Sequence, residues 1–150
     1  MELKVPPPLV ALLVCLAMWG AAQLLPLAQL RFGGRNVVAL ALICIAIGFS
    51  SSGVLAFRKA RTTVDPRYPH KASQLVDGGV YRLSRNPMYV GLLCALGAWS
   101  VYLGNPLNLL WLPLYMWYIT RFQIKPEEAA LQGLFGADDD AYCARVRRWL

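Results

Sequence analysis

The chain has 150 residues, of which 57% are hydrophobic, and its mean hydropathy is +0.44. Fifteen lysines and arginines against eight acids give a net charge of +7. Long stretches without a charged residue exclude an ordinary soluble domain, so the positive charge indicates a membrane surface more readily than nucleic acid.

The first two apolar stretches are residues 9–30 and 36–57. Each reaches the roughly 20 residues that an α-helix needs to cross the hydrocarbon core of a bilayer. Small residues at 20–22 resemble a signal-peptide cleavage site, but apolar character continues beyond them, which favours a retained first helix. The small and polar run 48–53 indicates either a close packing face or the lining of a polar cavity.

Two shorter apolar stretches follow at 88–103 and 106–122, and the turn sequence Gly104-Asn105-Pro106 separates them. We interpret them as a helical hairpin that enters the bilayer and returns. The sequence therefore predicts an all-α integral membrane protein with about four transmembrane helices, a cytoplasmic loop and C-terminal amphipathic helices. We expect residues 1–150 to form a single domain.

The distribution of basic residues predicts the orientation of these helices. With four crossings and a cytoplasmic N-terminus, only Arg31 and Arg35 of the 15 basic residues lie outside. The positive-inside rule describes this asymmetry. We therefore expect both termini and the active site to face the cytoplasm, with the basic side chains near anionic lipid headgroups and not on nucleic acid.

The sequence predicts neither a metal site nor a disulfide framework. The single histidine, His70, lies in the long connection 58–86 without the cluster of partners that a metal ligand needs. We assign it to solvent or to packing within the loop. The four cysteines are scattered without CxxC spacing and are interpreted as small hydrophobic residues: Cys15, Cys44, Cys94 and Cys143.

The segment after the fourth stretch predicts two short amphipathic helices. Pro126 suits the start of the first, Glu127 and Glu128 suit the positive end of its dipole, and Gly136 is a stop. Asp138 can cap the second, which we expect to lie at the membrane interface. That helix carries apolar residues on one face and arginines elsewhere: Tyr142, Val146, Trp149 and Leu150, then Arg145 and Arg148.

Two polar clusters end on the same side of the predicted membrane. Because a tight turn joins the third and fourth helices at their far ends, their near ends must be neighbours. We therefore expect a cleft between the clusters that opens to the cytoplasm and to lipid. The clusters are Tyr81, Arg85, Asn86 and Tyr89 before the third helix, and Glu127 and Glu128 after the fourth.

This cleft has the chemical groups to bind S-adenosylmethionine. Paired carboxylates accept ribose hydroxyls or face a cation, tyrosine rings pack on an adenine or a cation, and arginine binds a carboxylate. The same residues fit a plainer interpretation, in which the charges set the membrane topology and the acids favour a helix start. Spacing alone leaves both interpretations open.

A motif at the third helix resembles a family signature. Tyr81-x-x-x-Arg85-Asn86-Pro87-x-Tyr89-x-Gly91 is similar to the R-H-P-x-Y-x-G signature of the isoprenylcysteine carboxyl methyltransferase family, which is related to the membrane phospholipid N-methyltransferases. Further blocks match in order, so that the resemblance covers about residues 62–148. They include Gly79-Val80, Asn105-Pro106, Arg121-Phe122, Phe135-Gly136 and Arg145-Val146.

The resemblance implies an α-helical membrane methyltransferase that uses S-adenosylmethionine, with a cofactor region at about 62–91 and 121–148. It implies that the lipophilic acceptor arrives from the bilayer and that Arg85 holds or orients it. Asn86 stands where the family has histidine; asparagine forms hydrogen bonds but cannot take up a proton near neutral pH. The residues implied to contact the cofactor are Tyr81, Asn86, Tyr89, Glu127 and Glu128.

The cleft without histidine favours an acceptor that is already ionised. Methyl transfer to a carboxylate needs no base, whereas an ammonium headgroup must first lose a proton. We therefore favour O-methyl transfer to a lipophilic, membrane-embedded acceptor. The alternatives are a phospholipid N-methyltransferase, a nicotinamide-dependent reductase, for which four helices are too few, and a non-enzymatic four-helix membrane adaptor.

Overall fold

A computed structural model describes residues 5–24, 33–61 and 74–150, and every regular element within these ranges is helical. The all-α prediction is therefore confirmed for this part of the chain. Arg31, His70, the far end of the first apolar stretch and residues 62–73 of the long connection lie outside the described residues. The helices are α1 (Pro7–Leu24), α2 (Arg35–Lys59), α3 (Pro87–Leu103), α4 (Trp111–Ile119), α5 (Lys125–Phe135) and α6 (Ala137–Arg145).

Two of these helices, α1 and α2, are long and apolar enough to cross a membrane, and both are only slightly buried by the rest of the protein. Their outward faces expose large aliphatic side chains such as Leu16 and Ile47. Exposing such surface to water costs about 25 cal/mol per Å², whereas lipid accepts it. α3 is a shorter apolar helix of 17 residues. The expectation of four crossings stays a prediction.

Small residues bring α2 and α3 into close contact. A Cβ atom on Gly91 of α3 would lie 2.8 Å from the carbonyl oxygen of Ala46 and would collide with the hydroxyl of Ser50. A Cβ atom on Gly53 of α2 would lie 2.8 Å from Cγ of Met88. Side chains at these glycines would hold the helices apart. The run 48–53 therefore contributes a packing face.

The ends of the four apolar helices that bear the polar clusters lie together. The side-chain amide of Gln123 donates to the carbonyl of Val5 at 2.6 Å, which ties the helical run after α4 to the start of α1. Phe57 near the end of α2 meets the ring of Tyr81, just before α3, with the ring centroids 5.5 Å apart. Successive helices therefore run in alternating directions, which brings the segment before α3 next to the segment after α4.

The predicted hairpin between α3 and α4 is present. Gly104 ends α3 with a φ of 70°, the left-handed conformation that favours glycine. The side-chain oxygen of Asn105 accepts a hydrogen bond from the backbone N–H of Leu107 at 3.0 Å. Pro106 then begins a 3₁₀ turn, Pro106–Leu110, which runs directly into α4.

The helical run continues past the point where the sequence predicts a new start at Pro126. A π-helical turn, Thr120–Ile124, joins α4 to α5 without a gap. Proline lacks an N–H and crowds the carbonyl four residues earlier, so it normally interrupts an α-helix. The wider π turn immediately before α5 changes the hydrogen-bond register there. Glu127 and Glu128 therefore lie on a helix that is continuous with α4.

The prediction of a helix through the C-terminus is wrong. α6 ends at Arg145, and Val146 is extended, with φ −122° and ψ 133°. The residue before α6 is Gly136, and no side chain caps the helix, so Asp138 is not its cap. The final residues, 146–150, leave the helix because their carbonyl groups find donors elsewhere in the protein. Residues 146–150 belong to no β-sheet and have no regular secondary structure; we refer to this short segment as the C-terminal strand.

Candidate functional site

The first polar cluster lies on a short turn that leads into α3. Gly79, with a φ of 61°, begins the 3₁₀ turn Gly79–Arg82. The hydroxyl of Ser84 is buried and accepts a hydrogen bond from the backbone N–H of Asn86 at 3.0 Å. Pro87 occupies the first turn of α3, where its missing N–H is not needed. These contacts hold residues 85 and 86 beside α5 and the C-terminal strand.

Tyr89 and Glu127 connect the first turns of α3 and α5. The phenol of Tyr89 is buried and donates to Oε1 of Glu127 at 2.6 Å. Burial raises the pKa of Glu127 to about 8; the Tyr89 hydrogen bond opposes this rise and the charge of Glu128 adds to it. Glu127 is therefore mostly protonated at neutral pH, and it can lose that proton just above neutrality.

Glu128 lies between two arginines. Nη1 of Arg85 is 3.1 Å from its Oε1, and Arg148 of the C-terminal strand binds both oxygens, with Nε at 3.0 Å and Nη2 at 2.7 Å. The side chain of Arg85 is only 15% exposed, so its charge needs a partner. The hydrogen bonds to Glu128 raise the pKa of Arg148. Glu128 is thus the carboxylate that joins α5 to both basic segments.

Asn86 binds the C-terminal strand. Its side-chain Nδ2 donates to the carbonyl of Arg148 at 2.9 Å, and the backbone N–H of Arg85 donates to the carbonyl of Arg147 at 3.0 Å. Ser84 donates to the same Arg148 carbonyl at 3.4 Å. Three successive residues before α3 therefore fix the strand that carries Arg148.

Tyr81 lies behind the acid pair. It is buried beside Phe57, and its carbonyl accepts a hydrogen bond from the hydroxyl of Tyr142 at 2.8 Å, which attaches α6 to this corner. Burial raises the pKa of Tyr81, and the charges of Tyr142 and Glu127 raise it further. Tyr81 is therefore a neutral phenol at any physiological pH.

α6 places a thiol in contact with Arg85 and a carboxyl group next to that thiol. Nη1 of Arg85 donates to Sγ of Cys143, and this sulfur lies 3.8 Å from Oδ2 of the buried Asp139. Burial raises the pKa of Cys143 and of Asp139, while the charge of Arg85 lowers both. Cys143 is thus a polar neighbour of the site, whereas the sequence interpretation treated it as a small hydrophobic residue.

The structure brings all six predicted site residues to one corner of the bundle. Arg85 and Tyr89 touch the acid pair directly, while Asn86 and Tyr81 hold the C-terminal strand and α6. Sequence reasoning missed Arg148 and Cys143 as members of this corner. A helix that continued to the C-terminus would have pointed Arg148 away from the cleft. No local pattern in the sequence marks the end of α6, because the contacts that end it come from residues 84–86.

Two carboxyl groups, two guanidinium groups and a phenol thus converge from four segments. The arrangement can bind a ligand that carries a cation, an anion and hydroxyl groups. One of its buried donors, Nε of Arg85, has no hydrogen-bond partner among the described residues. A buried donor without a partner costs about 1–3 kcal/mol, so this nitrogen favours an acceptor from a bound molecule.

A separate hollow of about 220 Å³ lies on the other side of the C-terminal strand. None of the six predicted site residues is among those that line it. The lining residues are Met116, Trp117, Thr120, Arg121, Lys125 and Trp149.

Comparison with known families gives a match over most of the chain. The family model described as phospholipid methyltransferase matches residues 35–138, which include α2 to α5 and both polar clusters. No solved structure matches the chain.

Individual relatives include proteins that are named as methyltransferases. The protein-S-isoprenylcysteine O-methyltransferase of Schizosaccharomyces pombe is 29% identical over 148 residues, which cover 92% of this chain and 62% of that protein. A probable protein-S-isoprenylcysteine O-methyltransferase of Oryza sativa is 29% identical over 115 residues, 77% of this chain and 60% of that protein. An uncharacterized protein of Haemophilus influenzae is 43% identical over 63 residues, its whole length and 42% of this chain. The chain thus spans about three fifths of the two methyltransferases.

Proposed function

Because this chain belongs to the phospholipid methyltransferase family, we propose that it is an S-adenosylmethionine-dependent methyltransferase that acts on a lipophilic, membrane-embedded acceptor. One observation carries the proposal. The acid pair of α5 meets Arg85 and Tyr89 at distances of 3.1 and 2.6 Å, although the hairpin of α3 and α4 separates them in the sequence. The resemblance noted in the sequence supports the same activity, and an adaptor would not need this arrangement.

The residues of this corner fit S-adenosylmethionine, which when bound supplies an activated methyl group on its sulfonium. Its amino-acid part carries an ammonium and a carboxylate, and its ribose carries two hydroxyls. Glu127 and Glu128 offer acceptors, and Nε of Arg85, which no residue in the described part of the chain binds, offers a donor. Tyr81, Asn86 and Tyr89 complete the proposed binding set. The buried rings of Tyr81 and Tyr89 exclude water from it.

We favour a carboxylate acceptor and O-methyl transfer. A carboxylate oxygen is already a nucleophile, so it could accept the methyl group without first losing a proton, while the bond from the methyl carbon to the sulfonium sulfur would break and S-adenosylhomocysteine would leave. Arg85 has the charge and the rigid fork to orient such an acceptor. Two relatives that bear the name of O-methyltransferases are consistent with this choice. The protein would contribute alignment and exclusion of water, both of which lower the barrier to displacement.

One observation favours a second candidate, N-methyl transfer to an amine headgroup of a phospholipid. An ammonium must lose a proton before its nitrogen can act as a nucleophile. Glu127, with a pKa of about 8, has the affinity for a proton that a general base near neutral pH requires. The phenol of Tyr89 would hold the resulting carboxylate in place.

Calorimetric titration of the detergent-solubilised protein with S-adenosylhomocysteine tests the proposed cofactor site. We expect saturable binding, weakened about fivefold by Tyr89→Phe, because that variant keeps the ring and removes the hydrogen bond that positions Glu127, a contact worth about 1 kcal/mol. The control is Tyr102→Phe, a change at an exposed tyrosine of α3. Absence of binding at millimolar ligand, or equal weakening by both variants, would contradict the proposal.

A second experiment separates the two acceptors. Lipids from cells with and without the protein are analysed by mass spectrometry after growth with isotopically labelled methionine. O-methyl transfer predicts a labelled methyl ester on a lipophilic acid. N-methyl transfer predicts labelled methylated ethanolamine lipids instead. If neither labelled product depends on the protein, both candidates fail.

A further inference from the structure

The guanidinium of Arg85 is fixed by the protein at one nitrogen and open at another. Its Nη1 donates to Sγ of Cys143 and lies 3.1 Å from Oε1 of Glu128. Its Nε is buried and finds no hydrogen-bond partner in the described part of the chain. A carboxylate that could accept from Nε is nevertheless adjacent, so a further contact must hold Nε away from it.

Arg148 adopts the geometry that Arg85 does not. Its Nε and Nη2 bind the two oxygens of Glu128 at 3.0 and 2.7 Å. Such two-pronged pairing is the stronger arrangement between a guanidinium and a carboxylate. Arg85 instead reaches the same carboxylate through Nη1. A contact on another side therefore sets the orientation of Arg85, and the sulfur of Cys143 provides that contact.

Cys143 is itself oriented by α6. Its thiol donates to Oδ2 of Asp139 at 3.8 Å, and Asp139, four residues earlier in the same helix, is buried. Because the thiol proton is directed to Asp139, the sulfur is left to accept from Arg85. The hydroxyl of Tyr142 attaches this part of α6 to the carbonyl of Tyr81 at 2.8 Å. Since sulfur is a weak acceptor, its contact with Arg85 orients the guanidinium more than it stabilises the fold.

We propose that Cys143, oriented by Asp139, is a positioning residue that holds Arg85 so that Nε stays available to a ligand carboxylate. This role rests on the proposed function, which supplies two such carboxylates, one in the amino-acid part of S-adenosylmethionine and one in the favoured acceptor. Without the sulfur, Arg85 is free to turn Nε toward Glu128, and the ligand loses a donor. Cys143 thus acts through Arg85 and not on the ligand itself.

Calorimetric titration of the detergent-solubilised full chain with two nucleosides tests this role for the cofactor. S-adenosylhomocysteine carries the carboxylate, whereas 5′-methylthioadenosine has the same nucleoside and a thioether but no amino-acid part. We expect Cys143→Ala to weaken S-adenosylhomocysteine about fivefold, the effect of one hydrogen bond, and to leave 5′-methylthioadenosine unchanged. Cys143→Ser keeps an acceptor for Arg85 and a donor to Asp139, so it should retain the wild-type affinity.

A second pair of probes tests the same role for the acceptor. Dodecanoate is a lipophilic carboxylate, and dodecanol is its uncharged counterpart, both titrated at one fixed detergent concentration. If the carboxylate at Nε is that of the acceptor, Cys143→Ala weakens dodecanoate and leaves dodecanol and S-adenosylhomocysteine unchanged. The matched control is Cys44→Ala, a change at an exposed cysteine of α2, which should alter none of the four affinities.

The outcomes separate a positioning role from a structural one. A damaged fold would weaken 5′-methylthioadenosine as much as S-adenosylhomocysteine, and that result would overturn the proposal. So would a Cys143→Ala variant with wild-type affinity for both carboxylates, or an equal loss in Cys143→Ser. Each of these results leaves the cofactor site in place as long as the wild type binds S-adenosylhomocysteine; a wild type that does not bind it contradicts the proposed function as well.

Discussion

Glu127 and Glu128 are consecutive, yet their surroundings assign them different chemistry. Glu128 lies between Arg85 and Arg148, which stabilise it as a carboxylate. Glu127 has a phenol as its neighbour, and burial raises its pKa to about 8. One of two adjacent acids thus binds two guanidinium groups, and the other changes its protonation near neutral pH.

Stability should therefore depend on pH through Glu127. Its folded-state pKa of about 8 lies above the ordinary value of 4.5, so the folded protein holds a proton that the unfolded chain loses. Stability then falls as the pH rises from about 4.5 to about 8. The variant Glu127→Gln has no ionisable group at this position, so its stability does not fall through this effect. We expect Tm of the variant minus Tm of the wild type to increase between pH 6.0 and pH 8.5 in thermal denaturation.

The control for this prediction is Asp138→Asn, which removes an exposed acid at the start of α6. Its difference in Tm from the wild type should stay constant over the same pH interval. A constant difference for Glu127→Gln as well would show that burial does not perturb this carboxyl group.

Asn86 has a role that does not depend on proton transfer. Its side chain donates a hydrogen bond to the carbonyl of Arg148. Asparagine and neutral histidine can both make this donation, although only histidine can also take up a proton near neutral pH. In this chain asparagine thus supplies the donor for the contact with the C-terminal strand.

At the scale of elements, the contact between α2 and α3 depends on Gly91. Gly91→Ala would place a methyl group against Ala46 and Ser50, and such overpacking costs about 1–3 kcal/mol. Gly97→Ala, in the same helix, meets nothing within 4 Å. It should be neutral or stabilising by up to about 1 kcal/mol, since alanine favours a helix more than glycine does. Thermal denaturation in detergent should give a Tm below that of the wild type for Gly91→Ala and not for Gly97→Ala. The same Tm for both variants would contradict this packing.

The C-terminal strand supplies Arg148 to the site, so that its loss should affect ligand binding. Arg148→Ala removes two hydrogen bonds to Glu128, and for a partly exposed pair we expect a loss of about 1 kcal/mol, or roughly fivefold in affinity for S-adenosylhomocysteine. Arg145→Ala is the matched control, because its contact with Asp77 is 3.6 Å long and exposed. Equal effects of both substitutions on calorimetric affinity would exclude a specific role of Arg148.

At the scale of the whole molecule, alternating helices bring both clusters to one end of the bundle, and the basic residues predict that this end is cytoplasmic. We expect a reporter fused after Leu150 to be active in the cytoplasm, while one inserted at the Gly104–Asn105 turn is active on the opposite side. A membrane-impermeant label should correspondingly reach a cysteine introduced at the exposed Pro106 only from outside. Labelling from the cytoplasmic side would contradict the orientation.

The sequence determined the helical content, the hairpin at Gly104 and the pairing of the acids with Arg85 and Tyr89. Apolar periodicity and turn residues are local signals, and a tight turn between two antiparallel helices leaves little freedom for their other ends. The tertiary structure decided the rest. α6 ends at Arg145 because residues 84–86 bind the carbonyls beyond it, and the helix continues through Pro126 because a π turn precedes it. Such contacts join residues about 60 positions apart, so no local pattern reveals them, and the protonation of Glu127 depends in the same way on burial that only the folded chain creates.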